Sequence, residues 1–119
     1  MTAQRVLGIG GVFFRSERPG ELARWYAEHL GIDLDADFTG KTFVARDGDQ
    51  TVWSVFPAGT TYFERDLMVN YRVRDLDAML AQLRSAGATV DDRVEDLQYG
   101  RFGWATDPDG NRFELWEPR

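Results

Sequence analysis

The sequence predicts an α+β fold: two βαβββ modules whose strands form a curved mixed sheet around a cleft, with the helices on the convex side. Two observations lead there. Apolar residues recur at helical spacing twice, and each stripe stops at a glycine, Gly31 and Gly87. Around each stripe the pattern has period two, with one strand before it and three after. The order strand, helix, three strands therefore occurs twice, at low residue identity, so the repeat is one of architecture. The whole chain, 1–119, reads as a single domain with modules at about 5–56 and 67–118, joined by a linker at 57–66.

Residues 5–14 (RVLGIGGVFF) form a glycine-interrupted strand. Gly8, Gly10 and Gly11 leave room for another backbone or a ligand. They are not a dinucleotide fingerprint, because Phe13 stands at the third glycine position and no helix follows. A polar connector at 15–18 leads to Pro19, which suits the first helical position. Leu22, Trp25, Tyr26 and Leu30 give the apolar stripe of the first helix. His29 is the only histidine and lies in the last turn, where a cation favours the helix dipole. Strands are expected at 32–38, 41–46 and 51–56, with Asp47-Gly48-Asp49 as a hairpin turn. The irregular stretch 57–66 reads as a linker or lid pinned by Tyr62 and Phe63.

The second module opens with the alternating strand 67–73 (LMVNYRV). Asp75 is a good N-cap, and Leu76, Met79, Leu80 and Leu83 form the second stripe. Strands at 89–94 and 100–106 follow. A turn at Asp107-Pro108-Asp109-Gly110 then leads to the last strand, 112–117. There Phe113 and Leu115 take one face, Glu114 and Trp116 the other. The Asp107 turn lacks the bidentate Glu of a calcium loop. No Ser-His-Asp set is available, as His29 sits on a helix end with no evident nucleophile. Glu117 reads as solvated.

Composition bounds the function. The net charge is −6 with no basic run, which argues against nucleic acid or an anionic membrane as partner. No segment reaches the ~20 apolar residues of a membrane span. The absence of cysteine excludes disulfides and thiolate chemistry and fits a cytoplasmic protein. The first residues carry no long apolar run, so no signal peptide is expected. Four Trp, eight Phe and four Tyr are many for this length. They fill the core or line an apolar ligand pocket.

The expected helix-facing residues are Val12, Phe14, Val69, Tyr71, Val73, Phe113 and Leu115. The other strand faces carry Gly11, Phe13, Arg15, Trp53, Val55, Met68, Asn70, Arg72, Glu114 and Trp116, with Trp104 nearby.

Three stretches carry a resemblance that covers nearly the whole chain. They are Arg24-Trp25-Tyr26-Ala27-Glu28-His29-Leu30-Gly31, Tyr71-Arg72-Val73-Arg74-Asp75-Leu76-Asp77 and Asp107-Pro108-Asp109-Gly110-Asn111-Arg112-Phe113-Glu114-Leu115. In this order they resemble the vicinal oxygen chelate superfamily, which includes glyoxalase I, extradiol dioxygenases and bleomycin-resistance proteins. The resemblance implies paired βαβββ modules, a cleft, often a dimer, and in the enzymes a divalent metal held by His and Glu. Matched residue by residue, the ligand slots fall on Gly11, Met68 and a position near Trp53. Only Glu114 keeps a ligand-type side chain. One carboxylate does not hold a divalent ion tightly, so no metal or other cofactor is expected.

The expected function is metal-free binding of a small, aromatic or carbonyl-containing molecule. Phe13, Trp53, Trp104 and Trp116 would give the aromatic wall. Arg15, Asn70, Arg72 and Glu114 would fix its polarity. The alternative is an enzyme of lyase, isomerase or dioxygenase type. There Glu114 acts as base or residual metal ligand, and an arginine binds a substrate carboxylate or enolate. A third reading is an interaction module with Trp25 and Tyr62 at its interface.

Overall fold

The computed structural model describes residues 3–119. Among them are two helices and eight strands, an α+β architecture. In chain order these are β1 (Val6–Ser16), α1 (Pro19–Leu30), β2 (Gly40–Val44), β3 (Gln50–Pro57), β4 (Leu67–Val73), α2 (Leu76–Ser85), β5 (Thr89–Val90), β6 (Glu95–Leu97), β7 (Gly100–Thr106) and β8 (Arg112–Pro118). The chain divides into two compact units. One is Gly11–Met68; the other is Val69–Arg119 with the N-terminal stretch ending at Gly10.

In the unit Gly11–Met68 the strand order is β2-β3-β1. β3 runs antiparallel to β2 and parallel to β1. The hairpin turns where expected, with Gly48 at φ 89° and Ala45 N–H donating to Asp49 O at 2.8 Å. α1 starts at Pro19 and ends at Gly31, left-handed at φ 71°. Its sheet-side face differs from the expected stripe. Ala23 is 1 % exposed and the Tyr26 ring packs on Phe14 and Trp53, whereas Trp25 is 49 % and Leu30 60 % exposed. Trp25 lies at the border of the stripe, where its ring packs on Tyr26 and His29 instead of on the sheet.

The strand expected at 32–38 does not form. Asp37 takes φ 58°, and Phe38 N–H closes a turn on Asp35 O. The Asp35 carboxylate accepts from Thr42 N–H at 2.7 Å. Short acidic side chains at alternate positions favour such turns over a ladder. β1, in turn, runs two residues past the expected end at Phe14, through Arg15 and Ser16, because Arg15 N–H pairs with Asp66 O.

In the other unit the order is β1-β4-β8-β7-β5, with β6 on β7. β4 is parallel to β8; β7 is antiparallel to β8, β5 and β6. The strand expected at 89–94 is only two residues long, and β6 has no counterpart among the expected strands. α2 matches its sequence signals. Asp75 accepts from Ala78 N–H at 3.0 Å. At the other end Gly87 N–H donates to Arg84 O and Ala88 N–H to Leu83 O, the Schellman pattern. Leu76, Met79, Leu80, Val73 and Leu115 form a buried cluster, with Tyr71, Leu83, Val90 and Phe113 packed on it. Each large side chain fully buried there contributes about 1.5–3 kcal/mol. One face of the β4-β8-β7 sheet is thus an apolar helix seat, and the residues between these point the other way.

Candidate functional site

The register of β4, β8 and β7 puts two rows of side chains on that second face. Asn70 pairs with Glu114, and Glu114 with Trp104. Two residues on, Arg72 pairs with Trp116, and Trp116 with Phe102. Alternation keeps both rows opposite Tyr71 and Leu115.

The first row is a buried polar network. Glu114 is 1 % exposed, Asn70 1 % and Trp104 0 %. Asn70 Nδ2 donates to Glu114 Oε1 at 2.6 Å, and Trp104 Nε1 donates to Glu114 Oε2 at 3.0 Å. Burying a carboxylate is expensive unless such donors meet it, and N–H bonds to an anionic acceptor are among the stronger ones. Two guanidinium groups, Arg93 and Arg112, lie over the Trp104 ring at 4.5 and 5.5 Å. Arg112 also pairs with Asp91 at 2.8 Å.

The second row is aromatic with one cation. The Trp116 and Phe102 rings stack at 6.0 Å and 2°. Trp116 Nε1 donates to Tyr99 O at 3.0 Å. Arg72, 8 % exposed, donates through Nη1 to Ile9 O at 2.7 Å. The glycines of β1 make this possible. A Cβ on Gly8 would lie 2.3 Å from Arg72 Nη2. On Gly10 it would lie 2.1 Å from Asn70 Oδ1 and 2.9 Å from Trp116 Cε3. Beside Gly8 and Gly10 the room expected for a ligand is taken by the chain's own Arg72, Asn70 and Trp116 side chains.

The unit Gly11–Met68 corrects two expected site residues. Trp53 does not share a face with Phe13. It registers with Val12 and packs on Phe14 and Tyr26, against α1. β3 carries apolar residues on both faces, so its own alternation does not reveal which one meets the helix. Arg15 is committed to the 57–66 segment. Nε donates to Arg65 O at 3.1 Å, Nη1 to Ala58 O at 2.8 Å and Nη2 to Phe63 O, with the guanidinium over the Phe63 ring. It clamps that loop and is not held ready for a substrate carboxylate. Phe13, 8 % exposed, packs on Phe56. Phe56 in turn stacks on Tyr62 and meets Phe63, so the loop is pinned by the two aromatics expected to pin it.

Other expectations resolve locally. His29 Nδ1 donates to Trp25 O at 2.9 Å and the two rings stack, a helix-end arrangement. The Asp107 carboxylate accepts from Asp109 N–H, Asn111 N–H and Asn111 Nδ2, so turn bonds occupy it. Glu117 is not simply solvated: it accepts from Leu76 N–H at 2.7 Å, at the start of α2. Sequence reasoning missed Phe102 and Arg93. Counting alternation back from Trp104 would have found Phe102; nothing local marks Arg93.

With this geometry in place, the glyoxalase-like domain family matches residues 11–116. The chain belongs to the glyoxalase-like domain family. It lies within the vicinal oxygen chelate superfamily, and solved structures share its fold. A methylmalonyl-CoA epimerase from Mycobacterium tuberculosis is 22 % identical with TM-score 0.69, covering 100 % of this chain and 93 % of the other. An NAD-dependent benzaldehyde dehydrogenase from Legionella pneumophila is 14 % identical with TM-score 0.64, covering 92 % and 98 %. A 2,2',3-trihydroxybiphenyl 1,2-dioxygenase from Sphingomonas wittichii strain RW1 is 18 % identical with TM-score 0.60, covering 94 % of this chain and 40 % of the other. No curated protein matches the chain.

The superfamily implies a divalent metal, and the residues of this glyoxalase-like domain do not fit one. Among the described residues no group of three or more His, Cys, Asp or Glu is placed to hold an ion. Glu114, the one ligand-type residue among the expected metal positions, has an N–H donor on each carboxylate oxygen.

Proposed function

We propose that this glyoxalase-like domain binds a small aromatic or carbonyl-containing molecule, without a metal, through the β4-β8-β7 face that carries Glu114. One observation carries the reading: the two faces of that sheet differ in chemistry. One is a hydrocarbon seat for α2. The other buries a carboxylate, an amide and a guanidinium among Trp104, Trp116 and Phe102. A few fixed polar groups among aromatic rings is the composition of a ligand site rather than of a plain core. Two structural neighbours, an epimerase and a dioxygenase, act on small molecules by their names, which points the same way.

The test is a fluorescence titration of the chelator-treated protein with aromatic, carbonyl and cationic ligands, followed through the tryptophans. At least one class should quench saturably in wild type and at least tenfold more weakly in Trp116→Leu. A panel that leaves wild type unchanged contradicts the proposal.

Burial of Glu114 favours a second reading, an isomerase- or lyase-type enzyme with this carboxylate as base. On that reading Glu114→Gln lowers kcat by about 10²–10⁴-fold with ligand affinity retained. Equal loss of affinity and turnover speaks against it.

A further inference from the structure

We infer that Glu114 is a buried tie between β4, β8 and β7, and that its carboxylate takes no divalent metal ion. The inference does not depend on whether a ligand binds; it concerns what surrounds the two oxygens.

A metal ion needs carboxylate lone pairs and further donor atoms converging on the same point. At Glu114 the neighbours present hydrogens instead. Trp104 Nε1 is a donor with no lone pair to offer, and it lies 3.0 Å from Oε2 in a residue that is 0 % exposed. Asn70 turns its nitrogen to Oε1 at 2.6 Å. With the carboxyl ionised a donor must face Oε1, and the amide presents its nitrogen there. The Asn70 oxygen, a neutral donor, therefore points away from the carboxylate. It is buried with no hydrogen-bond partner and sits against Gly10, where a Cβ would lie 2.1 Å from it. Glu114, Asn70 and Trp104 form an all-protein hydrogen-bonded cross-link of three strands. Glu114 acts here as a positioning residue, holding the Trp104 indole and the Asn70 amide in place.

The test combines metal content with thermal denaturation. Purified wild type is assayed for bound metals. Melting is then followed with and without Mn²⁺, Ni²⁺ and Zn²⁺ for wild type, Glu114→Gln and Asn70→Asp. The tie predicts no retained metal and no ion-dependent shift in wild type. It predicts that Asn70→Asp, which replaces a donor by a second carboxylate, melts at least about 5 °C lower, unrescued by any ion. A metal-ligand role predicts the reverse, because the new carboxylate adds a ligand. Metal retained near one per chain overturns the inference. So does an ion-induced rise in wild type that Glu114→Gln abolishes, or rescue of Asn70→Asp by an ion. Should Asn70→Asp fail to fold alone, folding only with an ion present overturns it, and failure under both conditions supports it.

Discussion

Glu114, Asn70, Trp104 and Gly10 form a unit in which each residue type is set by its neighbours. Trp104→Phe puts a smaller ring at a fully buried position: it deletes one N–H, leaving a carboxylate oxygen one donor short, and opens a void where the five-membered ring stood. The unmet oxygen and the void together are expected to cost about 2–5 kcal/mol by urea denaturation, with an unchanged m-value. Gly10→Ala drives a methyl into Asn70 Oδ1 and Trp116, and about 1–3 kcal/mol or more is expected. Gly20→Ala, in α1, is the control. A methyl at that position meets nothing within 4 Å, and stability should hold or rise by up to about 1 kcal/mol. The exposed pair Arg101–Asp77, bonded at 2.9 and 3.0 Å, adds a pH dependence. Hydrogen bonding to Arg101, with its positive charge, holds the Asp77 carboxyl below the usual carboxylate range. A lowered folded pKa gives stability that is present above the unfolded value and lost as pH falls through the folded one. Asp77→Asn should therefore be less stable than wild type near neutral pH, with the difference closing in acid and shrinking in salt. The sequence shows Glu114 and Trp116 on one face of an alternating strand. It does not show whether that face is wet or buried, because burial depends on which strands from elsewhere in the chain flank it.

At the scale of elements, the helices are the most legible. Pro19, Gly31, Asp75 and Gly87 are local signals, and each marks a helix end as expected. The hairpin at Gly48 and the strands β7 and β8 are legible for the same reason. The failures have two causes, one local and one not. The 32–38 strand loses to turn bonds of Asp35, and Trp53 takes the face opposite to the expected one because its parity is set by pairing with β1. Two predictions belong here. Glu117→Ala removes a carboxylate at the α2 N-terminus and should cost about 0.5–2 kcal/mol, read by chemical denaturation. Arg15→Lys removes the guanidinium that bonds three carbonyls of the 57–66 segment. Tryptic cleavage at Arg65 should then accelerate on the order of tenfold, with helix content unchanged by circular dichroism. Equal cleavage rates would show that the aromatics Tyr62 and Phe63 suffice to hold the loop.

For the molecule as a whole, residues across 11–116 place it in the glyoxalase-like family, and motif order alone points to that superfamily. No helix among the described residues is long and apolar enough to cross a membrane. A homodimer is the proposed assembly, and sedimentation equilibrium at micromolar concentration should return twice the chain mass. The central claim is that this domain binds a small organic molecule without a metal. The most direct measurement is the thermal shift of chelator-treated wild type across aromatic, carbonyl and cationic ligands, repeated after adding Mn²⁺, Ni²⁺ or Zn²⁺. The account predicts that at least one ligand raises the melting temperature by roughly 10 °C at one hundred times its Kd, with or without the ion. Ligands that stabilise the protein only once an ion is present would contradict it.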